Sequence, residues 1–295
     1  MNIQQLKVFV YTVKYEKLYL VAKKLNIKQP TVTFHLNKLQ DSLGVDLLKT
    51  RSFHSIKLTK AGEEFYKTAQ IIINQYDELD LLMSDYKNLN KGSLSICSNH
   101  TPATYMILPY INDITKTHDN LSISVHVYGT SSIVNKVKNF ECDIGIINSN
   151  DFNDDELIAH HFSDDPLIVV FTPDHPLNEL DQITAYDLER HSFINHEEGS
   201  TTRSSIDNWT RENNIDLNVK MVSSGSESVK EAVKLGMGFA ILSSTLVSAE
   251  IKNGTLSFHQ IPKWTLNRKV YLIYRKGRII TPTMKLFIES LKHQV

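Results

Sequence analysis

From Glu63 to Lys91 the chain has neither Gly nor Pro, and Phe65, Ala69, Ile72, Tyr76, Leu79, Met83 and Tyr86 recur at alternating spacings of four and three. That spacing keeps one apolar seam on one helix face, the a/d pattern of a coiled coil. Roughly thirty residues at about 1.5 Å each make a rod of about 45 Å. A rod that slender has little local core, so the seam predicts a second copy of the chain against it; the other reading packs the seam on the chain's own body. Thr59 suits the N-cap of this helix, and Glu63 and Glu64 suit its positive end. The rod divides the sequence into a short head and a long body.

The two parts differ in charge. The 295 residues carry a formal charge of −1 in total. Residues 1–60 hold eleven Lys and Arg against three Asp and Glu, a balance of +8, and the rest of the chain stands at −9. A basic head on an acidic body reads as a polyanion-binding module joined to something else, against the plainer reading of a lysine-rich solvated surface. No apolar run approaches the roughly 18 residues a membrane span needs. The start, Met1 to Leu6, has neither the basic nor the apolar stretch of an export signal, and the expected setting is the cytoplasm. Cys97 and Cys142 are too few for a disulfide framework or a zinc ribbon.

Within the head, Leu6, Phe9, Val10 and Val13 mark one face of a first helix, and Leu18, Val21, Ala22 and Leu25 that of a second. Asn26-Ile27 breaks the pattern. Pro30 then sits in the first turn of a third helix, where its missing N–H is tolerated. Val32, Leu36, Leu39 and Leu43 line that helix, and Gly44 ends it. Val45 to Arg51 and Ile56 to Leu58 flank a polar tip, Ser52 to Ser55, as the two arms of a β-wing. A helix-turn-helix of this kind lays its second helix in the major groove, with N-terminal residues reaching base edges.

Gln4 to Phe9, Val21 to Ile27, Gln29 to Thr33, Leu36 to Leu39, Leu43 to Val45 and Leu58 to Gly62 resemble, in order and spacing, the LysR-type transcriptional regulators across the whole first domain. Three positions depart from that pattern. Lys28 replaces the family's usual serine, which removes an N-cap and adds a phosphate contact. Phe34 stands where a basic or amide residue is common. Arg51 comes one position late. The resemblance implies dimerisation through the long helix and frequent tetramers, and the two recognition helices of a dimer match an inverted repeat about one helical turn apart.

The third helix carries no arginine, so bidentate reading of guanine is unavailable there. Gln29 and Asn37 can pair with adenine, and Thr31, Thr33 and Phe34 offer carbon to thymine methyls. Arg51 suits a narrow A-tract minor groove. These residues predict A·T-rich half-sites, with Phe34 packed on the first helix as the alternative. Lys28, Lys38, Lys57 and Arg51 are expected on phosphates, where they supply most of a salt-dependent affinity.

In the body, strand and helix alternate from Leu94 onward, which predicts α/β architecture. The strand candidates are Leu94–Cys97, Leu121–Val127, Asp143–Ile147, Leu167–Phe171, Phe193–Ile194, Asn218–Val222, Phe239–Leu242 and Val270–Tyr274. Ligands of open α/β sheets bind beyond the C-terminal strand ends, where turns present hydroxyls and helix N–H groups. Four such turns are hydroxyl-rich: Ser98 to Thr101, Thr130 to Ser132, Glu198 to Arg203, and Ser224 to Ser228. Each alone is an ordinary N-cap; together they suit a small carboxylate, phosphate or sulfate.

Gly92 to Pro109, Gly129 to Ile147, Asp174 to Leu177, Glu197 to Arg203 and Ser226 to Ser243 resemble, more loosely, the effector-binding domain of the same family, itself similar to periplasmic solute-binding proteins. The resemblance implies an inducer cleft between two lobes, with polar contributors at Ser98, His100, Thr101, Thr130, Ser131, Ser200 and Thr201. His100 is an uncommon occupant of its turn.

The full expectation is α/β with an N-terminal all-α winged helix-turn-helix (1–60), a long linker helix (61–91) and a two-lobed, periplasmic-binding-protein-like effector domain (92–295). Lobe I covers about 92–162 and 267–295, and lobe II about 163–266. The expected function is a ligand-responsive, DNA-binding transcriptional regulator, a homodimer or homotetramer on double-stranded promoter DNA. No enzyme activity, cofactor, metal or membrane is expected. The rivals are a solute-binding protein and an enzyme with a helical appendage. His160-His161, and His191 with His196, lack a metal-ligand pattern, and His191 and His196 read as ordinary loop or surface residues. Ser84 and Lys87 match Ser-x-x-Lys but lie on the rod. Gly236-Met237-Gly238 reads as a helix-to-strand turn and not a dinucleotide loop. Cys97 and Cys142 are placed at opposite ends of a parallel sheet, which argues against a redox pair.

Overall fold

The structure, a computed structural model, describes residues 1–49, 56–87, 92–264 and 268–292. It comprises two compact units, Met1–Lys87 and Asn88–Val295.

The first unit opens with helices α1 (Ile3–Tyr15), α2 (Leu18–Leu25) and α3 (Gln29–Leu43). Asn2 caps α1 reciprocally: its side chain accepts the Gln5 N–H at 3.0 Å, and the Gln5 side chain accepts the Asn2 N–H at 2.9 Å. Asn26 ends α2 in the left-handed region, where the apolar spacing breaks. Lys28 precedes α3 without a capping hydrogen bond, and Pro30 lies in the first turn. Phe9, Val21, Val32, Leu36 and Leu39 are buried in one core shared by the three helices. Each is worth roughly 1.5–3 kcal/mol of burial.

Gln40 links α3 to the wing, its Oε1 accepting the N–H groups of Leu47 and Leu48 at 2.9 and 3.1 Å. Leu48 bridges Leu58 in antiparallel register, and the Lys49 N–H donates to the Lys57 carbonyl at 2.7 Å. The tip of the predicted wing, with Arg51, lies outside the described residues. Helix α4 (Lys60–Lys87) follows, its Gly62 N–H held by the Thr59 hydroxyl at 3.0 Å. A Cβ at Gly62 would stand 2.0 Å from the Leu47 carbonyl oxygen, so glycine lets the helix pass this close to the wing.

The predicted seam on α4 divides. Phe65 meets Phe9 edge-on, ring centroids 5.3 Å apart, and Ala69 is buried in the head's own core. These two therefore face α1 and not a second chain, because α1 already lies along the start of α4. Ile72, Tyr76, Leu79 and Met83 are exposed, and the Tyr86 side chain falls outside those described.

The second unit begins with β1 (Ser93–Ser98), a π-helical turn (Pro102–Met106), α5 (Leu108–Thr117), β2 (Ser122–Val127), α6 (Thr130–Lys138), β3 (Ile144–Ser149) and β4 (Leu157–Asp164). It continues with β5 (Leu167–Phe171), α7 (Ala185–Glu189), β6 (Ser192–His196), α8 (Thr201–Asn213), β7 (Asn218–Ser223), α9 (Ser226–Lys234), β8 (Ala240–Ser243), α10 (Ser248–Lys252) and β9 (Ser257–Gln260). It closes with β10 (Lys269–Arg275) and α11 (Pro282–Lys292).

Lobe I is the sheet β2-β1-β3-β10-β4, with β1 parallel to β2 and β3, and β10 antiparallel to β3 and β4. Its two faces bury alternate residues. Leu94, Ile96, Ile144 and Leu272 lie with Ile114 of α5 and Phe287 of α11. Ile147 and Ile273 lie with Ile133 and Val137 of α6. Strand β4, unforeseen in the sequence, carries this sheet past residue 162 to Asp164.

Cys97 and Cys142 are not at opposite ends of this sheet. They are joined as a disulfide, Cα atoms 6.0 Å apart. Strand β3 enters beside the middle of β1, Ile144 level with Ile96, and the Asp143 N–H donates to the Ser95 carbonyl at 2.9 Å. The turn carrying Cys142 therefore lies beside β1.

Lobe II holds the antiparallel sheet β8-β5-β9 and the parallel pair β6-β7, connected through a Phe193–Phe239 bridge. Leu167, Val169 and Phe171 pack with Phe193, Trp209 and Phe239, and Ile168 and Val170 with Val229 and Val233 of α9. Gly238 has φ 150°, and a Cβ there would stand 2.1 Å from the Ser192 carbonyl oxygen. The Gly236 to Gly238 stretch is thus the α9-to-β8 turn. The chain crosses between the lobes twice, after β4 and before β10, and the C-terminal ends of β1, β3 and β6 face one cleft.

Candidate functional site

In the first unit, burial of Val32, Leu36 and Leu39 fixes which face of α3 looks outward. Lys28, Gln29, Phe34, Asn37 and Lys38 are exposed there, with Thr31 and Thr33 half-buried at its edge. Lys57 is exposed on the second wing arm. Phe34 is 58% exposed, so it is not packed beneath α1. Its ring stands edge-on to His35 and lies 5.6 Å from Lys38 Nζ. The face presents cations, amides and an aromatic carbon surface, the three chemistries that meet phosphates, base edges and thymine methyls.

In the second unit the lobes enclose a cavity of about 350 Å³, within the range of small-molecule sites. Of the residues expected at a cleft, His100, Thr101, Thr130, Ser200 and Thr201 line it, together with Asn99, Asn148, His196, Thr202, Ser223, Ser226 and Arg268. Two predicted contributors do not line it. Ser98 is fully buried at the end of β1, its hydroxyl donating to the Asn99 carbonyl at 2.9 Å. Ser131 is exposed outside the lining, one residue further into α6 than Thr130.

The helices α6, α8 and α9 all begin at the cavity. Helices α6 and α9 start after Gly129 and Gly225, and neither has a side-chain cap. Their first turns line the cavity, and the first N–H groups of an α-helix have no intrahelical partner. Helix α8 is capped by Ser200, whose hydroxyl accepts the Arg203 N–H at 3.1 Å. Asn99 sets the opposite wall: its Oδ1 accepts the Asn148 N–H at 2.7 Å and the Thr130 hydroxyl at 3.2 Å, and its Nδ2 donates to the Tyr128 carbonyl at 3.0 Å. His196 is 4% exposed and its Nε2–H donates to the Ile241 carbonyl at 3.0 Å. Burial holds its pKa below the usual histidine value, and Arg268 and Arg203 add to that.

Arg268, which lines the cavity, forms an ion pair with the fully buried Asp165 behind it. Burial alone would raise the Asp165 pKa, but Arg268 and the Ser243 hydroxyl hold it below the ordinary aspartate value. Asn148 Nδ2 donates to Asp165 Oδ2 at 3.0 Å, and Arg268 Nη1 donates to the Thr202 hydroxyl at 2.9 Å. Between the lobes, Tyr105 of the π-helical turn donates to Glu227 of α9 and accepts from Lys230 Nζ at 3.2 Å. Burial would lower the Lys230 pKa, but Glu227, Glu250 and Tyr105 raise it.

Asn148 and Arg268 escape a sequence reading because they stand on a strand end and a crossover and not in a hydroxyl-rich turn, and His196, expected in a loop or on the surface, is instead buried at the end of β6, where the strand carries it into the lobe. The signal that could have found Asn148 and His196 is a polar residue closing an apolar strand run, as in Ile146-Ile147-Asn148 and Phe193-Ile194-Asn195-His196; Arg268 precedes its strand and carries no such signal.

A helix-turn-helix head with a two-lobed α/β receptor defines a ligand-responsive regulator. The model for "Bacterial regulatory helix-turn-helix protein, lysR family" matches residues 3–63, and that for "LysR substrate binding domain" matches residues 87–295. The chain belongs to the LysR family and is a transcriptional regulator of that type. It is 27% identical to the HTH-type transcriptional regulator CysL of Bacillus subtilis (strain 168), an alignment covering 97% of this chain and 95% of CysL. A full-length OxyR variant from Pseudomonas aeruginosa has the same fold, with TM-score 0.74 and 21% identity over 99% of this chain and 95% of that one. The CcmR regulatory domain of Synechocystis PCC6803, solved with 2-PG, matches 69% of this chain and 97% of its own at TM-score 0.63 and 25% identity.

Proposed function

We propose that residues 1–60 bind duplex promoter DNA, that 61–91 pair two copies, and that 92–295 sense a small anion between lobe I (about 92–162 and 267–295) and lobe II (about 163–266). The observation that carries the sensor reading is the meeting of the uncapped starts of α6 and α9 on one cavity. Helix N-termini favour negative charge, each by roughly 0.3–1 kcal/mol at exposed sites and more when partly buried. His100, Thr101, Thr130, Ser200 and Thr201 supply further polar contacts. The 2-PG held by the CcmR domain supports the charge class.

On the head, Gln29, Thr31, Thr33, Phe34 and Asn37 read A·T-rich half-sites of an inverted repeat, and Lys28, Lys38, Lys57 and Arg51 hold phosphates. The exposed Ile72, Tyr76, Leu79 and Met83 supply the pairing surface, and two pairs form a tetramer. A ligand that closes the lobes shifts the assembly between two arrangements on DNA by its unequal affinity for them. CysL, named as a transcriptional regulator, supports reading the cleft as a sensor and not a reaction centre. Promoter DNA as the partner implies action in the cytoplasm. Among the described residues no helix is long and apolar enough to cross a membrane.

The test is thermal unfolding of the full chain with sulfate, phosphate and small carboxylates at matched ionic strength. A saturable rise in the melting temperature of the second unit is expected, since a state-selective ligand stabilises by mass action. No anion-specific rise, or turnover of a carboxylate, contradicts the reading.

A further inference from the structure

We propose that Arg268 is the specificity-determining charge partner of the cleft's anion, and that Asp165 sets how much of its charge the anion can use. The proposal rests on the anion-sensing reading above. Among the described residues lining the cavity Arg268 is the only Lys or Arg. It precedes β10 on one crossover, and Asp165 follows β4 on the other. The two segments are tied by backbone as well as charge: the Asp165 N–H donates to the Arg268 carbonyl at 2.9 Å, and Arg268 Nε donates to the Asp165 carbonyl at 3.2 Å.

A guanidinium has five N–H donors. Nε serves the Asp165 carbonyl, Nη2 its carboxylate and Nη1 the Thr202 hydroxyl. One N–H on each Nη remains for an oxyanion in the cavity, the number a bidentate contact uses.

Asp165 is fully buried and fully engaged, its carboxylate also accepting from Ser243 and Asn148. It holds the guanidinium in place and withdraws part of its field from the cleft. A bound anion and Asp165 therefore share one cation. Without Asp165's charge, the same guanidinium attracts the anion more strongly. A purely structural pair behaves otherwise, since weakening it loosens the cleft and weakens binding.

The experiment measures sulfate, phosphate and glycolate affinities of the full chain by calorimetry and tryptophan fluorescence, for the wild type, Asp165→Asn, and Asp165→Asn with Arg268→Gln. The double variant removes both charges and leaves no lone buried ion. Asp165→Asn is expected to bind at least one probe roughly three- to tenfold tighter than wild type, and the double variant roughly tenfold or more weaker than wild type, the scale of a charged hydrogen bond. If Asp165→Asn does not fold, the double variant against wild type decides. Weaker or unchanged binding in a folded Asp165→Asn, or wild-type affinity in the double variant, overturns the proposal while the anion-sensing reading stands. Absence of saturable binding of every probe to the wild type overturns both.

Discussion

The head and the sensor solve recognition in opposite ways. The exposed face of α3 is built from neighbours in sequence: Lys28 at the N-cap and Gln29, Phe34, Asn37 and Lys38 along the helix, oriented by the buried Val32, Leu36 and Leu39 beneath them. The sensor cavity gathers Thr130, Asn148, His196, Ser200 and Arg268 from separate strands, helices and crossovers. A local site depends on one small core. A site assembled across two lobes depends on every element that places its parts, and the chemistry of one wall is tuned by residues far away in sequence.

That contrast can be broken most severely from the head. Leu36 is 1% exposed, and Leu36→Asp places a charge in the head's core, a mechanism among those that exceed about 4 kcal/mol. Duplex binding should vanish while calorimetry still shows the sensor's own unfolding transition; loss of both transitions would show that the units are not independent. The reverse variant is Phe287→Ala, which empties a fully buried position in lobe I at a cost of roughly 3–5 kcal/mol. It should lower the sensor transition and leave the head's in place.

A smaller effect comes from His196. Its pKa in the folded chain lies below the ordinary 6.5, so the unfolded chain binds the extra proton. Stability is therefore full above about pH 6.5 and falls as the pH drops through that value towards the folded pKa, by at most about 1.4 kcal/mol per unit. Melting curves of the second unit should show that acid-side fall, and His196→Gln should flatten it; an unchanged slope would remove His196 from the account. Smallest is Lys38→Ala, expected to reduce the slope of log affinity against log salt by about 1, the share of a single phosphate. A change in base preference at an unaltered slope would assign Lys38 to reading and not to holding.

The same contrast explains what is legible in the sequence. In the head, spacing and punctuation suffice: the break at Asn26-Ile27, Pro30 and Gly44 coincide with the ends of α2 and α3. In the body, apolar runs such as Ile144–Ile147 and Leu167–Phe171 announce their strands, whereas β4 beyond Leu157 and all of β9 hold only half-buried and exposed positions and carry His160, His161 and His259. The hydroxyl-rich turns locate the cavity, but Ser98 and Ser131 show that a turn does not fix which side chain enters it. The Asp165–Arg268 pair joins residues 103 apart, and no local pattern reports such a contact. The disulfide of Cys97 and Cys142 is hidden from the sequence because it depends on the register of β3 against β1. The split seam of α4 is hidden because its first turns have a partner in α1.

The most direct measurement is fluorescence anisotropy of the full chain on a labelled duplex from its own upstream DNA, titrated across salt concentrations. Tight binding is expected in dilute buffer, with log affinity falling linearly in log salt, steeply enough for several phosphates, at a slope of about −0.9 for each one neutralised. No binding in dilute buffer, or an affinity indifferent to salt, would contradict it.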